Sequence, residues 1–142
     1  MNPAILWPVF AFAALVFVVW FLLFVLRARH IARTPPRDGE LATRDGTAAY
    51  FRPVERPANN LTNLFEMPVL FLALVPLLVV TGRAGAAQVA LAWTFVGLRA
   101  VHSAIHIATP AVQPRFLVYL ASCIVLAAMW IGLAIDLAAI PA

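Results

Sequence analysis

Four apolar runs, each long enough to cross a lipid bilayer, constrain this chain more than any other feature of its sequence. They cover residues 3–26, 61–81, 86–108 and 116–140. A helix needs roughly 20 apolar residues to cross the hydrocarbon core, so the four runs predict four membrane spans. Because backbone groups find no water there, each run is expected to be helical. A β-barrel would alternate polar and apolar residues, and these runs do not.

The composition excludes several classes of protein. Hydrophobic residues make up 64% of the chain and charged residues 11%, whereas soluble domains are about 45–50% apolar and about 25% charged. Too few charges remain to cover a water-soluble fold, which excludes a soluble enzyme and a disordered chain. The net charge of +4 comes from Arg alone among the basic residues. It is concentrated in one loop, which is typical of membrane topology and not of a nucleic-acid binder.

The distribution of Arg predicts the orientation of the spans. The loop over 27–58 carries seven Arg, Arg115 ends the third loop, and only Arg83 lies on the other side. Under the positive-inside rule the first and third loops are cytoplasmic and both termini are periplasmic. Basic residues follow the first run and none precedes it, so we interpret it as an anchor and not as a cleaved signal peptide. The Lys-free, Ala- and Pro-rich sequence is typical of a bacterial gene, which favours a bacterial inner membrane.

The fold class follows from the short connections between the spans. Residues 82–85 and 109–114 leave little chain between consecutive runs, and short loops join antiparallel neighbours. We therefore predict an all-α membrane protein, an up-down-up-down bundle of four transmembrane helices that forms a single domain over residues 1–142. Pro68 and Pro76 are expected to bend the second span below its polar face.

Polar side chains inside the second and third spans mark a candidate site, because polar groups in a bilayer are costly. Two sets share a helical face: Asn59, Asn63 and Glu66 on the second span, and Arg99, His102 and His106 on the third. Both sets fall in the cytoplasmic half of the bilayer. A lone Arg there costs about 2.5–3.5 kcal/mol on insertion scales. We therefore expect Glu66 and Arg99 to face each other, across the two helices or across a subunit boundary.

Residues 55–66 carry a motif at the start of the second span. They read Glu-Arg-Pro-Ala-Asn-Asn-Leu-Thr-Asn-Leu-Phe-Glu. This stretch resembles the MAPEG family, the membrane-associated proteins in eicosanoid and glutathione metabolism, whose glutathione-using members read Glu-Arg-x-x-Arg-x-x-x-Asn-x-x-Glu. The matching positions are Glu55, Arg56, Asn63 and Glu66. Asn59 stands where those members have a second Arg, which contacts glutathione.

The third span carries a second motif, in which His102 and His106 follow Arg99 at three and seven residues. Arg115 comes nine residues after His106. The pattern resembles the microsomal glutathione transferase branch of the same family. That branch has a Tyr at the position of His106, and an Arg at the distance of Arg115 is implicated in catalysis.

The resemblance implies a homotrimer that binds glutathione, its cosubstrate, at subunit interfaces in the cytoplasmic half of the membrane. It also implies a lipophilic substrate that enters from the surrounding membrane lipids. The implied activity is that of a glutathione-dependent transferase or peroxidase acting on lipophilic electrophiles, with Arg115 as the catalytic residue that stabilises the thiolate. The implied glutathione-binding residues are Arg27, Arg56, Asn59, Asn63, Glu66, Arg99, His102 and His106.

Two other functions stay open at this point. Members of the family are not all enzymes, so the alternative is a non-enzymatic membrane scaffold that binds lipids or other hydrophobic molecules. A small exporter ranks last, because Glu66 is its only candidate for a proton-coupling acid. His102 and His106 have the spacing of metal ligands, but no HExxH motif or Cys partner accompanies them, so no metal is expected.

Overall fold

The computed structural model describes residues 3–139, and within that range the chain is helical and has no strand. Its six α-helices are α1 (Leu6–Arg33), α2 (Arg44–Phe51), α3 (Arg56–Leu64), α4 (Pro68–Val80), α5 (Ala86–Ala108) and α6 (Val112–Ala138). Short 3₁₀ turns cover Pro3–Ile5 and Arg52–Val54. The predicted all-α class is confirmed. The predicted end of the fourth run, at residue 140, lies outside the described residues, as do both ends of the predicted domain.

Three helical segments of the described chain are long and apolar enough to cross a membrane: Pro3–Arg33, Arg56–Val80 and Val112–Ala138. They coincide with the first, second and fourth predicted runs and support an integral membrane protein. The third run coincides with α5, a helix of 23 residues. Gln88, Arg99 and two His lower its mean hydropathy, so it does not reach the apolar content of the other three segments.

The protein exposes large apolar side chains on its outside and buries a charged side chain. Arg99 is 0% exposed, whereas Val80 is 85% exposed and Phe17 is 69% exposed. Soluble monomers rarely expose large contiguous apolar patches. The apolar outer surface therefore fits contact with lipid.

Three aromatic rings join α1, α4 and α5 at the centre of the bundle. The ring centroids of Phe71 and Phe95 lie 4.9 Å apart, and Phe12 lies 6.1 Å from the first and 6.5 Å from the second. All three side chains are buried. Helices in lipid associate mainly through close packing and polar contacts, so this ring cluster helps to hold the helices that carry the site.

The second predicted run is interrupted between α3 and α4. Pro68 begins α4 and has no N–H to donate to the carbonyl of Leu64, so the α-helical hydrogen-bond ladder cannot continue. The chain passes through residues 65–67 in a turn and then continues as α4 through Pro76. We expected bends at both Pro68 and Pro76, below the polar face. The helix instead breaks before Pro68, within the polar segment that includes Glu66, and it does not break at Pro76.

The segment over 27–58, expected as a long loop, contains helical structure that docks onto α1. The first helix itself extends to Arg33, and α2 contacts its end through two hydrogen bonds. His30 donates from Nε2 to the backbone carbonyl of Tyr50 at 3.0 Å. The Tyr50 hydroxyl donates to the backbone carbonyl of Thr34. These two contacts satisfy polar groups at the end of α1 and bring the chain back towards the start of α3.

Candidate functional site

One face of α5 is both polar and buried. Arg99 is 0% exposed, and His102 and Ser103 are each 2% exposed. His106, one helical turn further on, is partly exposed. Residues three, four and seven apart share one side of a helix, and α5 packs against α1, α3 and α6. The polar side of this helix therefore forms part of the protein interior.

Asn63 of α3 holds Arg99 at two points. The Arg99 Nη2 donates to the backbone carbonyl of Asn63 at 2.9 Å and to its side-chain Oδ1 at 2.8 Å. In a continuous helix that carbonyl would accept the N–H four residues ahead. Because α3 ends at Leu64, the carbonyl is free to accept from the guanidinium instead. The helix break thus supplies a partner to a buried cation.

Glu66 does not pair directly with Arg99 in the described chain, contrary to expectation. Asn63 lies between them, because its Nδ2 donates to Glu66 Oε2 at 3.1 Å while its Oδ1 accepts from Arg99. The physical reason is the helix break: Glu66 falls within it, outside the geometry of α3, and is exposed. A contact across a subunit boundary stays a prediction.

A cavity of about 210 Å³ lies beside this hydrogen-bonded chain. Its lining residues are Asn63, His102, His106, Val112, Arg115, Phe116 and Tyr119. Four of the predicted site residues are among them, contributed by α3, α5 and α6. Helical periodicity alone did not relate these helices to one another, so their meeting in one cavity is a result of the tertiary fold.

Arg115 enters this cavity from the first turn of α6. The N-terminus of a helix carries a partial positive charge and unpaired N–H groups, which favour anions. The Ala111 cap offers no side chain to satisfy those groups. The guanidinium of Arg115 therefore adds a full charge to an end of the cavity that already favours an anion.

Tyr119 is a cavity residue that sequence reasoning missed. Its ring centroid lies 5.5 Å from Cζ of Arg99 and 5.8 Å from the ring centroid of His102. It follows Arg115 by four residues, and this spacing on one helix face was the available signal. Tyr119 brings a phenol to the cavity from α6. On α5, His106 occupies the position at which the microsomal glutathione transferase branch has a Tyr.

Asn60 is a second residue that sequence reasoning passed over. It is 0% exposed, and neither atom of its side-chain amide has a hydrogen-bond partner among the described residues. The buried side of α3 runs through Pro57, Asn60 and Leu64, so Asn59 is exposed. Buried amides are normally hydrogen-bonded, which makes Asn60 the more informative of the two neighbouring Asn residues.

The other predicted binding residues lie outside this cavity. Arg56 and Asn59 are exposed on α3. Arg27 forms an ion pair with Glu55 at 3.3 Å, and its Cζ lies 4.5 Å from the ring centroid of Phe51. Arg27 also lines a second cavity, of about 330 Å³, formed by α1 and Phe51 of α2. The other lining residues are Trp20, Leu23, Phe24, Ala28, Ile31 and Phe51.

The chemistry of the smaller cavity comes from one cation, two imidazoles, one phenol and one amide. A guanidinium binds anions through charge-assisted hydrogen bonds, and an imidazole can take or give a proton near neutral pH. The described residues contain no group of three or more His, Cys, Asp or Glu side chains placed to hold a metal ion. The cavity is therefore suited to holding an anionic group and exchanging a proton with it.

Residues 5–135 match the model of the MAPEG family. No curated protein and no solved structure matches the chain.

Proposed function

The chain belongs to the MAPEG family, and from that premise we propose that it is a membrane-bound glutathione-dependent transferase or peroxidase acting on lipophilic electrophiles. The observation that carries the proposal is the cavity in which Arg115, His102 and His106 meet Asn63. A thiolate nucleophile needs a nearby cation, and this cavity offers one at the end of a helix.

The proposed roles follow the charges of glutathione, which has two carboxylates, one ammonium group and one thiol. Arg115 stabilises the thiolate, and the exposed carboxylate of Glu66 binds the ammonium group. Arg27 and Arg56 bind the carboxylates through charge-assisted hydrogen bonds. Arg99 is fully buried, so its proposed role is indirect: it holds Asn63, and Asn63 in turn orients Glu66.

The size of the cavity supports a site shared between subunits. Ligand pockets usually measure about 300–1,000 Å³, and this one measures about 210 Å³. It suits the thiol end of glutathione, while Glu66, Arg56 and Asn59 are exposed outside it. We propose that a second copy of the chain in a homotrimer covers those residues and completes the site.

The proposed topology has four spans, with α5 as the third. At 23 residues α5 is long enough to cross a bilayer, and its buried polar side would be shielded from lipid by α3 and α6. We place both termini in the periplasm and the Arg-rich connection between α1 and α3 in the cytoplasm of a bacterial cell, following the positive-inside rule.

A titration of the detergent-purified protein with glutathione tests the proposal. We expect saturable binding, the ultraviolet absorbance of a thiolate on binding, and conjugation of glutathione to a lipophilic electrophile. S-methylglutathione is the matched control ligand, because it keeps the charges of the tripeptide but has no thiol to ionise. It should compete for binding without producing the absorbance. Absence of glutathione binding would contradict the proposal.

The second candidate function is a non-enzymatic scaffold that binds lipids or other hydrophobic molecules. The cavity of about 330 Å³ on α1 favours it, because Trp20, Phe24 and Ile31 give it apolar walls while Arg27 gives it one charged end. A protein of this kind would retain a fluorescent fatty acid in detergent and show no thiolate absorbance with glutathione.

A further inference from the structure

The cavity that carries the proposed function has only one kind of lining side chain that can accept a proton near neutral pH. The guanidinium of Arg115 has no acceptor, and the amide of Asn63 and the phenol of Tyr119 are not bases in that range. Imidazole is such a base. A bound thiol must lose its proton before it can act as a nucleophile, so within this cavity a histidine is the group available to take it.

The surroundings of the two histidines distinguish them. His102 is 2% exposed and lies between two rings, with centroids 5.8 Å away at Tyr119 and 5.5 Å away at His106. His106 is partly exposed and lies nearer the end of α5 that leads into Arg115. His106 and Arg115 line the same cavity, whereas Arg99, one helical turn before His102, is fully buried and does not line it. A thiol held by Arg115 in this cavity is therefore more accessible to His106 than to the buried His102.

We propose that His106 is the general base of this site, which takes the proton of the glutathione thiol while Arg115 binds the sulfur. This inference rests on the proposed function. The S–H bond breaks, the proton passes to the imidazole, and the electron pair stays on sulfur. The thiolate then forms the bond to the electrophilic carbon. The imidazolium returns its proton to the leaving group, or to the oxygen released when an epoxide opens.

The charges around His106 link protonation of its imidazole to formation of the thiolate. The charged groups whose fields reach it are guanidinium groups: Arg115 of α6, Arg99 of its own helix and Arg56 of α3. The ring centroid of His102 lies 5.5 Å from that of His106, and Tyr119 lines the same cavity. An isolated imidazolium would be repelled by these cations. The thiolate formed in the same proton transfer has the opposite charge, so imidazolium and thiolate stabilise each other.

The test is the rate of thiolate formation when purified protein is mixed with glutathione, followed by ultraviolet absorbance. In His106→Gln we expect a rate roughly 10²-fold lower, the lower end of the general-base effect. Free imidazole in the buffer should restore part of the rate, which a purely structural role would not predict. His30→Gln is the matched control, because His30 bonds to the Tyr50 carbonyl and neither residue lines the cavity. It should form the thiolate at the wild-type rate.

Two results would overturn the assignment to His106. One is a wild-type rate in His106→Gln. The other is an imidazole-rescued loss in His102→Gln without such a loss in His106→Gln. Failure of the proposed function looks different, because the unaltered protein would then bind no glutathione and form no thiolate, and the inference would fall with it.

Discussion

Arg99 donates two hydrogen bonds from Nη2 to Asn63, one to the backbone carbonyl at 2.9 Å and one to Oδ1 at 2.8 Å. The contact joins α5 to the last turn of α3. The Nδ2 of the same Asn63 side chain remains free to donate to the Glu66 carboxylate. A buried cation, a broken helix and an exposed carboxylate are thereby linked through one side chain.

Removing the Asn63 side chain should destabilise the protein, because Arg99 loses one of its two acceptors in a fully buried position. We expect Asn63→Leu to lower the free energy of unfolding by about 1.5–3 kcal/mol, the range for hydrogen bonds to charged groups. The measurement is equilibrium unfolding in detergent. Thr62→Val, on the exposed side of the same helix, is the control, because Thr62 is not among the proposed binding residues, and its effect should stay within about 0.5 kcal/mol. Equal effects of the two substitutions would contradict the prediction.

Restoring a continuous helix at Pro68 should weaken glutathione binding. In Pro68→Ala a new N–H can bond to the Leu64 carbonyl, the helix can continue, and Glu66 and the Asn63 carbonyl lose their present positions. We expect affinity to fall about tenfold, equivalent to about 1.4 kcal/mol, in a glutathione titration. Pro76→Ala is the control, because α4 already passes through Pro76. A similar loss in both variants would count against a specific role for the break.

Replacing Arg115 should separate catalysis from binding. In Arg115→Ala we expect conjugation to fall by about 10²-fold or more, as when one group that stabilises a developing anion is removed. Glutathione affinity should change little, because other residues bind its carboxylates. Arg83→Ala is the control, since Arg83 lies in the connection between α4 and α5. Parallel losses of affinity and turnover in Arg115→Ala would indicate a binding role instead.

The ion pair between Arg27 and Glu55 should contribute little to stability, whereas the stacking of Arg27 should contribute more. The side chains of Arg27 and Glu55 are 34% and 29% exposed, so water reaches the pair. We expect Glu55→Gln to cost about 0–1 kcal/mol, the range for solvent-accessible ion pairs. Arg27→Met also removes the contact with Phe51, worth a further 0.5–1 kcal/mol or so. Equilibrium unfolding of both variants shows which substitution lowers the free energy of unfolding more. A larger loss of stability in Glu55→Gln than in Arg27→Met would contradict the prediction.

Part of the candidate site could be predicted from the sequence, because the arrangement of those residues depends on one helix only. The spacing of Arg99, His102 and His106 placed them on one side of α5, and that side is polar and lines the interior. For Asn59 the same reasoning from helical spacing did not predict the side of the helix that is buried. Three polar residues at helical spacing suggested one face for the second span, but α3 docks with Asn60 inwards and Asn59 exposed.

The long apolar runs determined that this chain is a helical membrane protein, because backbone groups in lipid must bond within their own segment. Local periodicity likewise determined which residues of α5 share a side. Only the tertiary structure decided that Asn63, and not Glu66, bonds to Arg99, and that Tyr119 joins the cavity. The physical reason is that partners on different helices depend on how each helix is rotated and docked. The break at Pro68 changes the direction of Glu66 in a way that spacing along a continuous helix does not predict.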